Sequence, residues 1–150
     1  MIIQKLDQSN IEEASLLILE VAEKYNRGDF TEMGYQKFKT SVLFEGMRQN
    51  LENEFHYWGA IENDTMVGLL AIKPPTHLYN MFVHVNHHKK GIATLLWQHM
   101  VSDLKPTQVT AFSTTYALPL YLKLGFEVSG EQIDNDELIC YPIRWTAENK

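Results

Sequence analysis

Cysteine is all but missing from this chain: Cys140 is the only one among 150 residues. One thiol excludes an internal disulfide framework and any multi-cysteine zinc site, and Cys140 reads as a small buried strand residue. No apolar run approaches the roughly 18 residues of a membrane-spanning helix, so no membrane role is expected. The opening MIIQKLDQSN has no apolar block of the signal-peptide kind, which points to a cytoplasmic protein. Only 13 basic side chains stand against 19 acidic ones, a net of −6, which argues against general nucleic-acid affinity. Repeats, low complexity and linker-like stretches are absent too, so residues 1–150 read as one domain, long enough to bury a core.

The acid is unevenly spread. Residues 1–64 carry 6 basic and 12 acidic side chains, a net of −6. Residues 65–126 carry Lys73, Lys89, Lys90, Lys105 and Lys123 against Asp103 alone, a net of +4, and residues 127–150 return to −4. A mildly basic centre suits an anionic ligand, and the acidic flanks suit a cationic partner.

Hydrophobic spacing predicts the elements. Ile2, Ile3 and Leu6 indicate a short first strand, and Ser9 with Glu12 a capping box opening a helix. That helix buries Ile11, Ala14, Ile18, Val21 and Tyr25. A second helical region spans residues 35–51, bent at Gly46, with Phe38, Val42, Met47 and Leu51 inward. FHYWGAIEND and TMVGLLAI form a hairpin turning at Asn63 and Asp64. LYNMFVHV is apolar enough for a central strand buried on both faces. GIATLLWQHMVSDL is a helix with Ile92, Leu95, Leu96, Met100 and Leu104 inside, stopped by Lys105 and Pro106. QVTAFS is a strand, residues 119–124 a short helix closed by Gly125, and FEVSGEQI with ELICYPIRW a last hairpin. The order β-α-α-β-β-β-α-β-α-β-β predicts an α/β (α+β) domain with a mixed sheet and helices on both faces.

One stretch is not generic. HVNHHKKGIATLL, residues 84–96, places three histidines, two lysines and a glycine at a strand-to-helix junction. No metal site is expected, because the sequence around His84, His87 and His88 offers no carboxylate or cysteine to complete a shell. A helix N-terminus with unpaired N–H groups and partial positive charge suits a phosphate. Gly91 admits close backbone approach, Ala93 keeps the next turn small, and Lys89 and Lys90 add charge. Neither GxGxxG nor GxxxxGK[ST] is present, so a dinucleotide or nucleoside triphosphate has no fingerprint here.

After the next strand comes TTYALPLYLKLGF, residues 114–126. The run His88-Lys89-Lys90-Gly91-Ile92-Ala93, followed by Ala117 and Tyr121-Leu122-Lys123-Leu124-Gly125-Phe126, resembles the GNAT-type N-acetyltransferases. The likeness covers residues 65–126. His88 departs from the family's usual Arg or Gln, and Thr114 from its usual Asn; Ser113, Thr114, Thr115 and Tyr116 fit a branch with a Ser/Thr-rich segment before Tyr-Ala-x-Pro. The resemblance implies a mostly antiparallel sheet of about six or seven strands. It also implies acetyl-CoA as co-substrate without a metal, and acetyl transfer to a primary amine of a small molecule or peptide.

Carried onto this chain, the resemblance gives Phe82, Val83 and Val85 as backbone partners of the pantetheine arm. His88, Lys89, Lys90, Gly91, Ile92, Ala93, Thr94, Leu95 and Leu96 surround the pyrophosphate. Thr114 and Lys123 serve the pantetheine and 3′-phosphate ends, Tyr121 is the general acid, and the Val83 N–H faces the developing oxyanion. For the base, His84, Glu45, Glu54 and Tyr57 stay open. The acceptor region falls on residues 25–55 and 129–137. Its acidic side chains Asp29, Glu32, Glu45, Glu52, Glu54, Glu131, Asp134, Asp136 and Glu137 favour a cationic amine. A homodimer is compatible with the family. A non-catalytic acyl-CoA sensor and a transferase of longer acyl groups are the alternatives.

Overall fold

Alternation along the strands decides which faces are covered. The computed structural model describes residues 1–88, 90–134 and 138–147. Its strands are β1 (Ile2–Lys5), β2 (His56–Glu62), β3 (Thr65–Lys73), β4 (His77–Val83), β5 (Gln108–Ser113), β6 (Glu127–Val128), β7 (Ile133–Asp134) and β8 (Ile139–Thr146). Among the described residues they form one eight-stranded sheet in the order β1-β2-β3-β4-β5-β8-β6, with β7 also on β8. Every pair is antiparallel except β4 with β5. The fold is the mixed α/β architecture expected, with short β6 and β7 dividing the predicted penultimate strand.

On β3, Leu69 and Ala71 face one core while Leu70 and Ile72 face the other. The first core takes the helices α1 (Ile11–Tyr25), α2 (Glu32–Val42) and α3 (Phe44–Glu52). The second takes α4 (Ile92–Leu104) and α5 (Leu118–Leu124), with Trp58, Trp97 and Trp145 buried in it. Burying side chains of this kind contributes about 1.5–3 kcal/mol each.

Several expectations are corrected. Asp7, not Ser9, makes the first cap: its carboxylate accepts from the Ser9 N–H while Asn10 reaches back to the Asp7 N–H, opening a 3-10 turn before α1. The second helical region is two helices, broken at Leu43, whose extended backbone ends α2. Gly46 sits inside α3, and a Cβ there would lie 2.6 Å from the Ser41 carbonyl, so it permits the close join instead of making the bend. On α4, Leu95 is exposed and Leu104 half-buried, and Ala93 and Trp97 take the inner face with Ile92, Leu96 and Met100. The predicted strand through Val85 ends at Val83, with a 3-10 turn over Val85–His87. Nor is β4 buried on both faces: Met81, Phe82 and Val83 are half-exposed, because the neighbouring strand leaves them.

Candidate active site

The departure of β5 from β4 makes the site. The two strands pair only where His77 meets Thr110 and Leu78 meets Ala111. Beyond that the edge of β4 is open. The His84 N–H donates to the Val67 carbonyl at 2.7 Å. In an antiparallel ladder, backbone groups turn alternately toward the partner and away. Phe82, opposite Leu69, therefore bonds to β3, whereas Met81 and Val83 turn their N–H and C=O into the gap. From the other side the Thr110 N–H reaches Thr76 O at 3.2 Å, so Phe112, two residues on, faces the same gap.

A cleft of about 1260 Å³ occupies the gap. Leu78, Met81, Val83, Ile92, Ala117 and Tyr121 line it from the α4–α5 face, and Val21, Tyr25, Phe38 and Phe82 from the α1–α3 face. It thus runs through the sheet. A register slip between Ala71 and Ile72 leaves Tyr79 as an extra residue on β4. The slip reverses the phase of alternation and sets Asn80 on the α1–α3 side of its neighbour Met81.

The N-terminus of α4 enters the cleft at Gly91, Ile92, Ala93 and Thr94. Gly91 holds φ +77°, the left-handed region that glycine adopts without penalty, and no side chain caps the helix. The N–H groups of its first turn are left for a ligand. Gly68 supports this placement: a Cβ on it would lie 3.0 Å from Ile92 and 3.2 Å from Leu96, so α4 packs on the sheet where β3 has no side chain.

His88 lies in the cleft wall. Its Nε2–H donates to the Val83 carbonyl at 2.7 Å, and its ring lies against Tyr25, which stacks on Tyr116 at 4.7 Å. Thr114 Oγ1 accepts from the Ala117 N–H at 3.3 Å, bracing the turn into α5. From α5, buried Tyr121 packs edge-on against Phe126, and burial raises its phenol far above the ordinary value. Lys123 lines the cleft as well. Of the residues expected around the ligand, Phe82, Val83, His88, Gly91, Ile92, Ala93, Thr94, Thr114, Tyr121 and Lys123 come together here. Val85, Lys90, Leu95 and Leu96 stand outside the lining: Val85 has left the strand, Lys90 and Leu95 face solvent, and Leu96 is core. Lys89 lies outside the described residues.

The acidic residues expected at the acceptor site do not line the cleft. Arg27 bridges Glu23 and Glu32 at 3.1 and 3.2 Å, and Arg48 holds Glu45 at 2.6 Å and Glu52 at 3.7 Å. Asp29, Glu54, Glu131 and Asp134 are also off the lining, while Asp136 and Glu137 lie outside the described residues. None of the candidate bases reaches the cleft either. His84 meets Glu20 at 3.1 Å, and the Tyr57 hydroxyl accepts from Asn50 at 3.1 Å inside the α1–α3 core. Among the described lining residues there is no Asp or Glu.

Lining residues not expected at the site include Phe30, Phe38 and Phe112, together with Met81, His77 and Asn80. Met81 offers backbone only, which leaves no signal. His77 stands 2.9 Å from Thr110 Oγ1; burial, then nearby Lys73, lowers its pKa, so its ring is neutral at pH 7. Asn80 is 7% exposed and its Oδ1 has no hydrogen-bond partner. Its signal was there: it is the polar break in the apolar run LYNMFV.

A family model of the acetyltransferase (GNAT) domain matches residues 26–147. No curated protein matches the chain by sequence. Among solved structures, the PaiA N-acetyltransferase from Thermoplasma acidophilum in complex with coenzyme A superposes with a TM-score of 0.81 at 16% identity, covering 97% of this chain and 98% of that one. A GCN5-related N-acetyltransferase from Rhodopseudomonas palustris gives 0.82 at 13% identity, over 97% and 94%. An aminoglycoside 6'-N-acetyltransferase complexed with coenzyme A gives 0.72 at 18% identity, over 97% of each chain.

Proposed function

The chain belongs to the GNAT acetyltransferase family, and from that premise we propose that it moves an acetyl group from acetyl-CoA to a primary amine by direct attack in a ternary complex. One observation carries the reading: a single cleft runs through the sheet between β4 and β5. Its volume of about 1260 Å³ exceeds the roughly 300–1,000 Å³ of a site for one small ligand. Donor and acceptor fit together, one from each face, as direct attack requires.

The residues present fit acetyl-CoA. The uncapped N–H groups of Ile92, Ala93 and Thr94 suit a pyrophosphate. The gap-facing backbone of Met81 and Phe112 suits the amides of a pantetheine arm, which supplies the pairing that β5 withholds. Thr114 and Lys123 flank the α5 side. The Val83 N–H is the donor available to a carbonyl oxygen that turns negative during attack. Tyr121 keeps its proton at neutral pH because burial disfavours the phenolate. As the carbon–sulfur bond breaks, its O–H donates to the sulfur, the thiolate takes that proton, and solvent restores it. The attacking nitrogen gives up its surplus proton to water.

Titration calorimetry with acetyl-CoA, CoA and ATP in parallel, then an amine panel scored by free-thiol release, tests this. Micromolar acetyl-CoA binding without ATP binding, and thiol release that requires the amine, are expected. Absence of CoA binding overturns the reading. Tight CoA binding with no turnover on any amine overturns catalysis and leaves an acyl-CoA sensor.

A further inference from the structure

On the α1–α3 side of the cleft, the chain's chemistry narrows the acceptor. Phe30, Phe38 and Phe82 form a row, with ring centroids 5.3 and 6.3 Å apart, and all three line the cleft. Asn80 lines it too, more than nine-tenths buried, with a carbonyl oxygen that nothing in the protein satisfies. A buried polar atom left without a partner costs about 1–3 kcal/mol unless a ligand or water completes it. The missing partner of a carbonyl is a donor, and an amine is one. Glu23, Glu32, Glu45 and Glu52 are tied to Arg27 and Arg48, and among the described lining residues there is no acidic side chain to select a polycation.

Given the transfer reaction proposed above, we infer that the acceptor is a monoamine with an apolar, aromatic-sized body, and that Asn80 Oδ1 accepts a hydrogen bond from its nitrogen as the free amine. The Phe30, Phe38 and Phe82 rings cover the body. An ammonium entering this wall loses hydration without gaining a counter-charge, so the amine leaves its proton in bulk water on binding. One N–H then points at Asn80 and the lone pair stays free for the acetyl carbon. As the new carbon–nitrogen bond forms and the carbon–sulfur bond breaks, the nitrogen releases one proton to water and the thiolate gains one from Tyr121. The sum is amide plus CoA thiol. No side chain acts as general base, which accounts for the lack of a carboxylate among the described lining residues.

Phenethylamine and putrescine, compared on the wild type and on Asn80→Leu and Asn80→Asp, test this by thiol release, with acetyl-CoA affinity measured on all three proteins by calorimetry. Wild type is expected to favour phenethylamine in kcat/KM by about tenfold or more. Asn80→Leu should lower kcat/KM for phenethylamine about tenfold, with acetyl-CoA affinity held within about twofold. Asn80→Asp should move the preference toward putrescine, a reversal that a merely structural role for Asn80 does not produce. Putrescine preferred by wild type, or acceptor constants indifferent to both substitutions, overturns the inference while the transferase reading stands. A wild type that binds no acetyl-CoA fails the transferase reading itself and takes the inference with it.

Discussion

On the α4–α5 side of the gap the cleft presents much backbone: the first turn of α4, the left-handed Gly91, the N–H and C=O of Met81 and the N–H of Val83. On the α1–α3 side it is built of side chains, among them three phenylalanine rings and one amide. A surface of N–H groups recognises any chain with the right phosphate and amide spacing and survives most substitutions around it. A surface of side chains recognises one shape, and a single substitution alters it. The fold therefore keeps the donor constant and leaves the acceptor free to differ between relatives of similar architecture. Tyr121 stands on the first side as the proton donor proposed for it. Tyr121→Phe should lower kcat about 100-fold or more on any good acceptor, with acetyl-CoA affinity unchanged within about twofold. Equal turnover in the variant would remove the proton donor from this side and leave it purely a binding surface.

Two glycines sharpen the contrast further. Gly91 has nothing within 4 Å of where a Cβ would sit and holds φ +77°, whereas Gly68 has Ile92 at 3.0 Å. Gly91→Val should weaken acetyl-CoA binding about tenfold or more, since a β-branched residue resists the left-handed region and its methyls enter the space left for phosphate. Gly68→Val should instead cost about 1–3 kcal/mol of stability through overpacking under α4, read as a lower denaturation midpoint. If Gly91→Val lost stability but bound acetyl-CoA normally, the cradle would lie elsewhere.

The same division governs what sequence alone could disclose. A backbone cradle of the kind proposed here is sought through the residues it requires, and His88 to Ala93 with Tyr121 to Phe126 carried the family resemblance at fixed spacing. Hairpin, strand order and the double-faced core followed from period and turn chemistry, as at Asn63 and Asp64, both of which hold positive φ. The break at Leu43 was illegible, because an extended leucine between two helical patterns carries no breaker signal; Gly46 was read as the bend, whereas it permits the close join. The acidic run of α2 and α3 misled for a physical cause. Charge in sequence says nothing of pairing, and Arg27 and Arg48 consume it on the solvent face. Phe30, Phe38 and Asn80 come from separate elements, and only the bulge at Tyr79 orients Asn80 to the α1–α3 side. A phase reversal of that kind is invisible to a count of alternating residues.

A smaller and more general effect distinguishes the two faces by their tyrosines. Burial, then the hydrogen bond its hydroxyl donates to Glu23 at 2.7 Å, pushes Tyr35 on the α1–α3 face up to about 12. Burial does the same to Tyr57, against the Asn50 hydrogen bond that lowers it, also to about 12. Tyr121 on the opposite face is raised by burial as well. An unfolded tyrosine ionises near 10. Above that pH the unfolded chain releases these protons while the folded chain keeps them, so the stability they contribute is complete below about pH 10 and falls from about 10 to 12, by about 1.4 kcal/mol per pH unit for each tyrosine at most. Denaturation midpoints should hold level to about pH 9.5 and then decline, with the phenolate absorbance of these rings appearing only as the protein unfolds. Tyr35→Phe should soften the decline through the α1–α3 face, and Tyr121→Phe through the other. A phenolate signal near pH 10 with the fold intact that disappears in the Tyr35→Phe or Tyr121→Phe variant would mean that these rings meet solvent, and the aromatic wall assigned to the acceptor would lose the dry core behind it.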